Sequence, residues 1–247
     1  MRQLQQHSSV RNSEGRFVAE GLRLTHDFLA AGMLADFALI GQQPLAQQWR
    51  LQHPEVECID VSDVIMNSVT AETTAPGVIV IFYLSHVDPG VTRMDTLDPV
   101  LILDSLKDPG NLGACLRVAA ASSCSLVILT PGCVDPFSPK VIRGGMGAHA
   151  RLQIIDSGWD EVKKICRGRS VWAADANGDH SYDAISWTSP TALIIGSETA
   201  GLSAEARAVA NGIVTIPLAN NVESLNAAVA CGVILFEAAR QRRHMPG

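Results

Sequence analysis

Apolar runs of strand length alternate with helical patterns along nearly the whole chain, and that alternation predicts an α/β protein. In the first third, residues 17–21 predict the end of a strand, and residues 22–31 a helix closed by Gly32. Strands are expected at 37–40, 56–60 and 78–84. Residues 85–99 change character: two prolines, a glycine and few large apolar side chains mark a linker. This gives a small α/β domain at 1–84, a linker at 85–99 and a larger domain at 100–247. The larger domain opens on Val100-Leu-Ile-Leu103, with a helix expected at 111–122 and strands at 126–130, 171–174, 192–195 and 213–216. A final helix is expected from Ser224 to about Arg240, with Leu225, Val229, Gly232, Val233 and Phe236 on its apolar face. Continuously apolar strands between helices predict a mostly parallel sheet covered on both sides. Ligands of such sheets gather beyond the carboxyl ends of the strands.

Composition narrows the class. Of the 247 residues, 47% are apolar and 18% charged, which is material for a folded core and excludes a disordered chain. The longest apolar run, Val78 to Leu84, is too short to span a bilayer, so no membrane partner is expected. The N-terminus has no contiguous apolar segment of the secretory kind. Arg2, Arg11 and Arg16 with Ser8, Ser9 and Ser13 leave a short organelle transit peptide open, against which stand Glu14, Glu20 and patterned structure from about Phe17. The six cysteines form no Cys-x-x-Cys pair, and all but Cys133 sit in or beside apolar segments. Reduced core thiols in a cytoplasmic protein are expected, with no metal cluster. The net charge is −6: Lys plus Arg against Asp plus Glu is 6 to 11 over residues 1–97 and 13 to 14 over the rest. Any attraction for nucleic acid is therefore local.

Three loops sit where a parallel sheet collects ligands. Asp108-Pro-Gly-Asn-Leu-Gly-Ala-Cys-Leu-Arg117 follows a strand and opens a helix. Asn111 suits an N-cap, and Arg117 lies six residues further, less than two turns along. The spacing is neither a dinucleotide fingerprint nor a P-loop. Leu193-Ile-Ile-Gly-Ser-Glu-Thr-Ala-Gly-Leu202 places Glu198 just past a strand, while Ser203 suits the following cap. Ile216-Pro-Leu-Ala-Asn-Asn-Val-Glu-Ser-Leu-Asn226 delivers Ser224 as a cap for the last helix, whose first-turn N–H groups then face a ligand. Taken singly, the first and third loops read equally well as ordinary capped helix starts. Together they collect two amides, a guanidinium, a carboxylate and a hydroxyl, with no nucleophile–base pair. That set suits positioning chemistry on a small molecule rather than covalent catalysis.

The three loops resemble the signature motifs of the SpoU (TrmH-like) family of the SPOUT superfamily. Asn111, Gly113 and Arg117 match the first motif; Ile195, Gly196, Glu198, Gly201 and Leu202 the second; Ile216, Pro217, Ser224, Leu225 and Asn226 the third. The segment Asp135-Pro-Phe-Ser-Pro-Lys-Val-Ile-Arg143 with Gly147 resembles the stretch between the first two. Residues 16–23 resemble, more weakly, the small substrate-binding domain that precedes many SpoU domains.

The resemblance implies a knotted (trefoil) SPOUT domain and methyl transfer from S-adenosylmethionine to a ribose 2′-hydroxyl of structured RNA, with large-subunit rRNA the first expectation. A tRNA enzyme, a guanine-N1 methyltransferase of the same superfamily and a non-catalytic RNA-binding or ribosome-assembly protein are the alternatives. It implies catalytic or pocket-shaping roles for Arg117, Asn111, Glu198, Ser224 and Asn226. It implies cofactor contacts at Thr130, Gly196, Gly201, Ile216, Leu218, Leu225 and Asn226. Arg2, Arg11, Arg16 and Arg23 are the candidates for RNA phosphate contacts. A homodimer is implied as well, with the last helix and first motif near the interface, so that Arg117 serves the partner subunit's cofactor.

Overall fold

In a computed structural model, residues 1–71, 76–84 and 98–244 are described. Most of the expected linker, residues 85–97, lies outside them. The chain divides into two compact units, Met1–His86 with Asp135–Ala150, and Val87–Val134 with Arg151–Gly247.

The first unit begins with helices α1 (Arg2–Gln6) and α2 (Ser8–Glu14), strand β1 (Arg16–Glu20) and helix α3 (Leu22–Ala30). Strand β2 (Ala35–Ile40), helix α4 (Pro44–Gln52), strand β3 (Cys58–Asp60), helix α5 (Asp63–Val69) and strand β4 (Val78–Tyr83) follow. The sheet order is β1-β4-β2-β3; β4 runs antiparallel to β1 and β2, and β2 parallel to β3. Alternation sorts the strands into two cores. Val18, Leu39, Ile79 and Ile81 pack with Leu4 of α1 and Met66 of α5. Phe17, Ala38, Val80 and Phe82 pack on the other face with Phe28 of α3 and Trp49 of α4.

That second core also contains Ile142 and Phe137, which come from far along the sequence. Helix α7 (Pro139–Gly145) lies in the returning segment Asp135–Ala150. Phe137 sits 5.1 Å from Phe17, ring centroid to centroid. Arg11, only 3% exposed, binds Asp135 through Nε at 2.7 Å and through its terminal nitrogen, and also donates to the Leu4 carbonyl. His149 lies between the Phe28 and Phe137 rings and pairs through Nε2 with the Pro136 carbonyl at 2.8 Å.

Burial pushes the His149 imidazole down to about 4, so the ring is neutral in the folded protein. The unfolded chain takes up that proton near pH 6.5. His149 therefore contributes its full stability above pH 6.5, and the contribution is lost as pH falls toward 4. Between pH 7 and pH 5 the loss is about 2 kcal/mol. Urea denaturation at the two pH values should show it, and His149→Leu should flatten the difference; an equally steep acid limb in that variant would remove the assignment.

The second unit holds a seven-stranded sheet in which every pairing is parallel, as expected. Its strands are β5 (Val100–Asp104), β6 (Leu126–Leu129), β7 (Gln153–Asp156), β8 (Ser170–Ala174), β9 (His180–Ser181), β10 (Thr191–Gly196) and β11 (Gly212–Thr215). Their order is β7-β6-β5-β10-β8-β11-β9. Helices α6 (Pro109–Ala121), α8 (Trp159–Ile165), α9 (Ala204–Val209) and α10 (Ala227–Arg243) flank it. Val100, Ile102, Ile128 and Ile194 pack toward Val162 of α8 and Ala206 of α9. Helix α10 packs on α6 and touches β10.

Two caps differ from the expectation. Asp108, not Asn111, caps α6, accepting from the Asn111 N–H at 2.8 Å, and Pro109 takes the first turn. Asn226, not Ser224, caps α10, its Oδ1 accepting from Ala228 at 3.0 Å and Val229 at 3.3 Å. Two N–H groups of the first turn, those of Ala228 and Val229, are thus satisfied internally. The buried face of α10 is also not the expected one. Ala228, Cys231, Ile234, Leu235 and Ala238 are buried, while Val229 and Phe236 are 51% and 45% exposed. Small residues let α10 sit close to its neighbours, and the bulkier stripe faces outward.

Candidate active site

The three loops meet. The amide of Asn111, at the start of α6, donates to the Glu198 carboxylate. The Asn226 amide donates to Asn111 Oδ1 at 2.9 Å, while its oxygen caps α10. A short polar chain, Glu198–Asn111–Asn226, therefore joins residues 87 and 115 positions apart. Charge-assisted acceptance by Glu198 fixes which way the Asn111 amide points, and that in turn fixes Asn226.

The Glu198 loop is itself closed. Gly201 donates from its N–H to the Ser197 carbonyl at 2.9 Å, and Ser197 Oγ accepts from the Ala200 N–H at 3.1 Å. Ser203 caps α9, as expected, through the Ala206 N–H at 3.1 Å. Asp104, 1% exposed at the end of β5, accepts from the Ser203 N–H at 2.7 Å. The loop is thereby tied to the neighbouring strand.

Beside this chain lies a cavity of about 470 Å³ at the carboxyl ends of β8, β10 and β11, within the usual size range of small-molecule sites. Ile216, Leu218, Leu225 and Ile234 give it apolar walls; Gly196, Ser197, Glu198 and Gly201 form the β10 side; Ser224 and Asn226 close the α10 side. The charged side chains lining it are Asp175 and Glu198, with no Lys, Arg or His among the described residues. An added Cβ at Gly201 would meet nothing within 4 Å, so this part of the loop borders open space.

Of the expected cofactor contacts, Gly196, Gly201, Ile216, Leu218, Leu225 and Asn226 line the cavity. Thr130 does not. It is 2% exposed, and its hydroxyl bonds Asp104 Oδ1 at 3.3 Å and accepts from the Ser105 N–H at 3.1 Å. It braces β5 against β6 instead. Arg117 is exposed on α6, and among the described residues no side chain or carbonyl pairs with it. Asn111 and Glu198 hold each other rather than Arg117.

The phosphate candidates also separate. Arg11 is withdrawn, being buried against Asp135. Arg16 pairs with Asp36 at 3.0 Å and lies over the Tyr83 ring. Arg2 donates to the Ser68 carbonyl at 2.7 Å. Arg23 remains, 86% exposed with Asp27 at 4.0 Å.

The sequence reading missed Ala174, Asp175 and Ala176, which line the cavity beyond β8. A signal was present: small and acidic residues follow directly on the apolar run 171–174, where a parallel sheet places its ligands.

Residues 98–236 match the model of the SpoU rRNA methylase family, and residues 1–80 match an MRM3-like substrate-binding domain. The human protein called mitochondrial rRNA methyltransferase 3 is 31% identical across 94% of this chain and 69% of its own length. The crystal structure of the SpoU methyltransferase AviRb from Streptomyces viridochromogenes, in complex with the cofactor AdoMet, superposes with a TM-score of 0.89 at 25% identity, covering 99% of this chain and 97% of that one. An AdoMet-bound rRNA methyltransferase from Sinorhizobium meliloti gives a TM-score of 0.87 at 29% identity, covering 100% and 94%. A parallel sheet with two signature loops lining one cavity, a third bonded to both through Asn111, and a family match over more than half its length make this chain a member of the SpoU rRNA methylase family.

Proposed function

We propose that the protein transfers a methyl group from S-adenosylmethionine to a ribose 2′-hydroxyl of ribosomal RNA. The observation that carries this is the Glu198–Asn111–Asn226 chain set against a cavity with apolar walls and two carboxylates. Apolar walls suit an adenine ring, and with Asp175 ion-paired to Arg207 behind the wall the Glu198 carboxylate leaves the lining acidic, which suits a ligand of net positive charge. S-adenosylmethionine, when bound, supplies an electrophilic methyl group.

The protein's share is positioning. A neutral hydroxyl is a poor nucleophile and must lose its proton around the transition state. Arg117 cannot take that proton, because guanidinium stays charged in proteins. Its role is to orient the hydroxyl and stabilise developing negative charge, with an RNA phosphate or water accepting the proton. Asn111, Glu198, Ser224 and Asn226 shape the pocket.

The exposed Val229 and Phe236 stripe on α10 supports a homodimer in which α10 and the α6 start approach the partner. The trefoil knot is proposed on the family resemblance, supported by the meeting of the 196–203 and 216–226 loops at one cavity. A reducing compartment, and so the cytoplasmic reading, rests on the thiols alone. Burial pushes Cys124 up to about 12 and Cys166 to about 11, which keeps them protonated and inert.

The test is direct. The protein is incubated with methyl-labelled S-adenosylmethionine and with rRNA or tRNA, followed by nuclease digestion and mass analysis of the nucleosides. Label on ribose in rRNA is the expected result. Label on a base, or in tRNA alone, would replace the substrate assignment. Absent calorimetric binding of S-adenosylmethionine would favour a non-catalytic role.

A further inference from the structure

Asp175 occupies the first position beyond β8, on the cavity wall. The turn that carries it is rigid. Its N–H donates to the Val214 carbonyl at 3.0 Å, and Thr215 Oγ1 donates to the Ala176 carbonyl at 2.9 Å. A Cβ added at Gly178 would lie 2.7 Å from the Val214 carbonyl carbon, so only glycine lets the turn press this closely on β11.

The carboxylate is also held from behind. Oδ1 accepts from the Asn177 N–H at 3.0 Å and Oδ2 from Arg207 at 2.5 Å. Burial alone would raise its pKa, but these donors outweigh burial and lower it, so it is ionised at neutral pH. A carboxylate has about four acceptor sites, and the two bonds leave half of them. The side chain keeps 18% exposure, and its neighbours on the wall, Ala174 and Ala176, are too small to cover it.

Both ends of the Asn226 amide are bonded, and the Ser197 hydroxyl closes its own loop. Glu198 accepts from Asn111 through one oxygen on an exposed loop, so it lacks the double anchoring that fixes Asp175. Ser224 is a rotating hydroxyl on an exposed stretch. A fixed carboxylate with two adjacent free acceptor edges fits a group that presents two neighbouring O–H donors.

We propose that Asp175 recognises the vicinal hydroxyls of the sugar in the bound nucleoside, making the site selective for ribonucleosides. The inference rests on the S-adenosylmethionine reading of the cavity. A site built to bond a hydroxyl strongly rejects an analogue lacking it.

The experiment is calorimetry on the full chain with S-adenosylhomocysteine and its 2′-deoxy and 3′-deoxy forms. Wild-type protein should favour the parent ligand over each deoxy form by about tenfold or more. Asp175→Ala should weaken the parent ligand and shrink that ratio below about threefold. Asp175→Asn, which keeps the bond from Asn177, serves if the alanine variant does not fold. Comparing ligands on one protein also separates recognition from stability, because a folding defect weakens all three alike. A wild-type protein that binds the parent but does not discriminate overturns the inference alone. So does an unchanged ratio in both variants, which would place the ligand's ammonium or another group against Asp175. A wild-type protein that binds neither S-adenosylmethionine nor the parent ligand overturns the cavity reading and this inference together.

Discussion

Arg117→Ala is expected to lower methyl transfer about 10²–10³-fold, the usual cost of removing one donor aimed at developing charge. Affinity for S-adenosylmethionine should stay within about threefold by the same reasoning, since binding and transition-state contacts are separable. Arg117 is exposed, does not line the cavity and has no partner among the described residues, so its loss leaves the folded site intact. An unpartnered cation on an otherwise well-bonded helix is available to a substrate or to another subunit. Single-turnover rates with saturating cofactor, beside calorimetry, read the two quantities separately. Turnover equal to wild type would remove Arg117 from the chemistry.

The second large effect is expected at Gly196. Its Cβ would lie 2.4 Å from the Gly201 carbonyl oxygen, 2.6 Å from the Gly201 carbonyl carbon and 2.9 Å from the Leu202 nitrogen. All three are backbone atoms, so no side-chain rotation relieves the clash. Gly196→Ala must open the loop that closes between Ser197 and Gly201. Glu198 then leaves Asn111, and the cavity loses its β10 wall. Affinity for S-adenosylmethionine should fall at least about a hundredfold, or about 2.7 kcal/mol. Gly201→Ala makes the contrast. Its Cβ meets nothing, and the cost is only that of a left-handed φ of +66°, about 1–2 kcal/mol of backbone strain. If the two variants bind equally well, close backbone packing is not what shapes the site.

The pair also tests whether the active site is shared. Mixed Arg117→Ala and Gly196→Ala chains, each inactive alone, should regain activity if Arg117 of the partner subunit serves each cofactor site. No recovery in a verified mixed dimer would place Arg117 and the cavity of one subunit together.

Much of the second unit was readable because its strands are continuously apolar. Val100–Asp104 and Thr191–Gly196 are buried almost throughout, and the loops after them carry the motif residues. The caps were displaced because several cap-competent residues stand in a row. Asp108 precedes Asn111, and Asn226 follows Ser224; only the φ/ψ at which the chain turns decides between them. The α10 face differs because the helix carries a second apolar stripe, Ala228, Cys231, Ile234, Leu235 and Ala238, and it is this one that is buried; a period alone does not choose between two such stripes. Short helices such as α1 and α2 span too few residues to show a period. Arg11 and Thr130 were misplaced for a different reason. Their partners, Asp135 and Asp104, are remote in sequence, and no local pattern announces a long-range ion pair or brace.

The segment Asp135–Ala150 has a bearing on how such proteins can be recombined. The first unit is interleaved, not strung ahead of the second like a bead. A chimera that grafts residues 1–84 onto a foreign catalytic unit would arrive without Phe137, Ile142 and His149, and with Arg11 facing no carboxylate. A descendant that exchanges its first unit must therefore inherit two separate stretches together. Inheritance of that kind binds the history of the first unit to that of the catalytic sequence surrounding its missing piece.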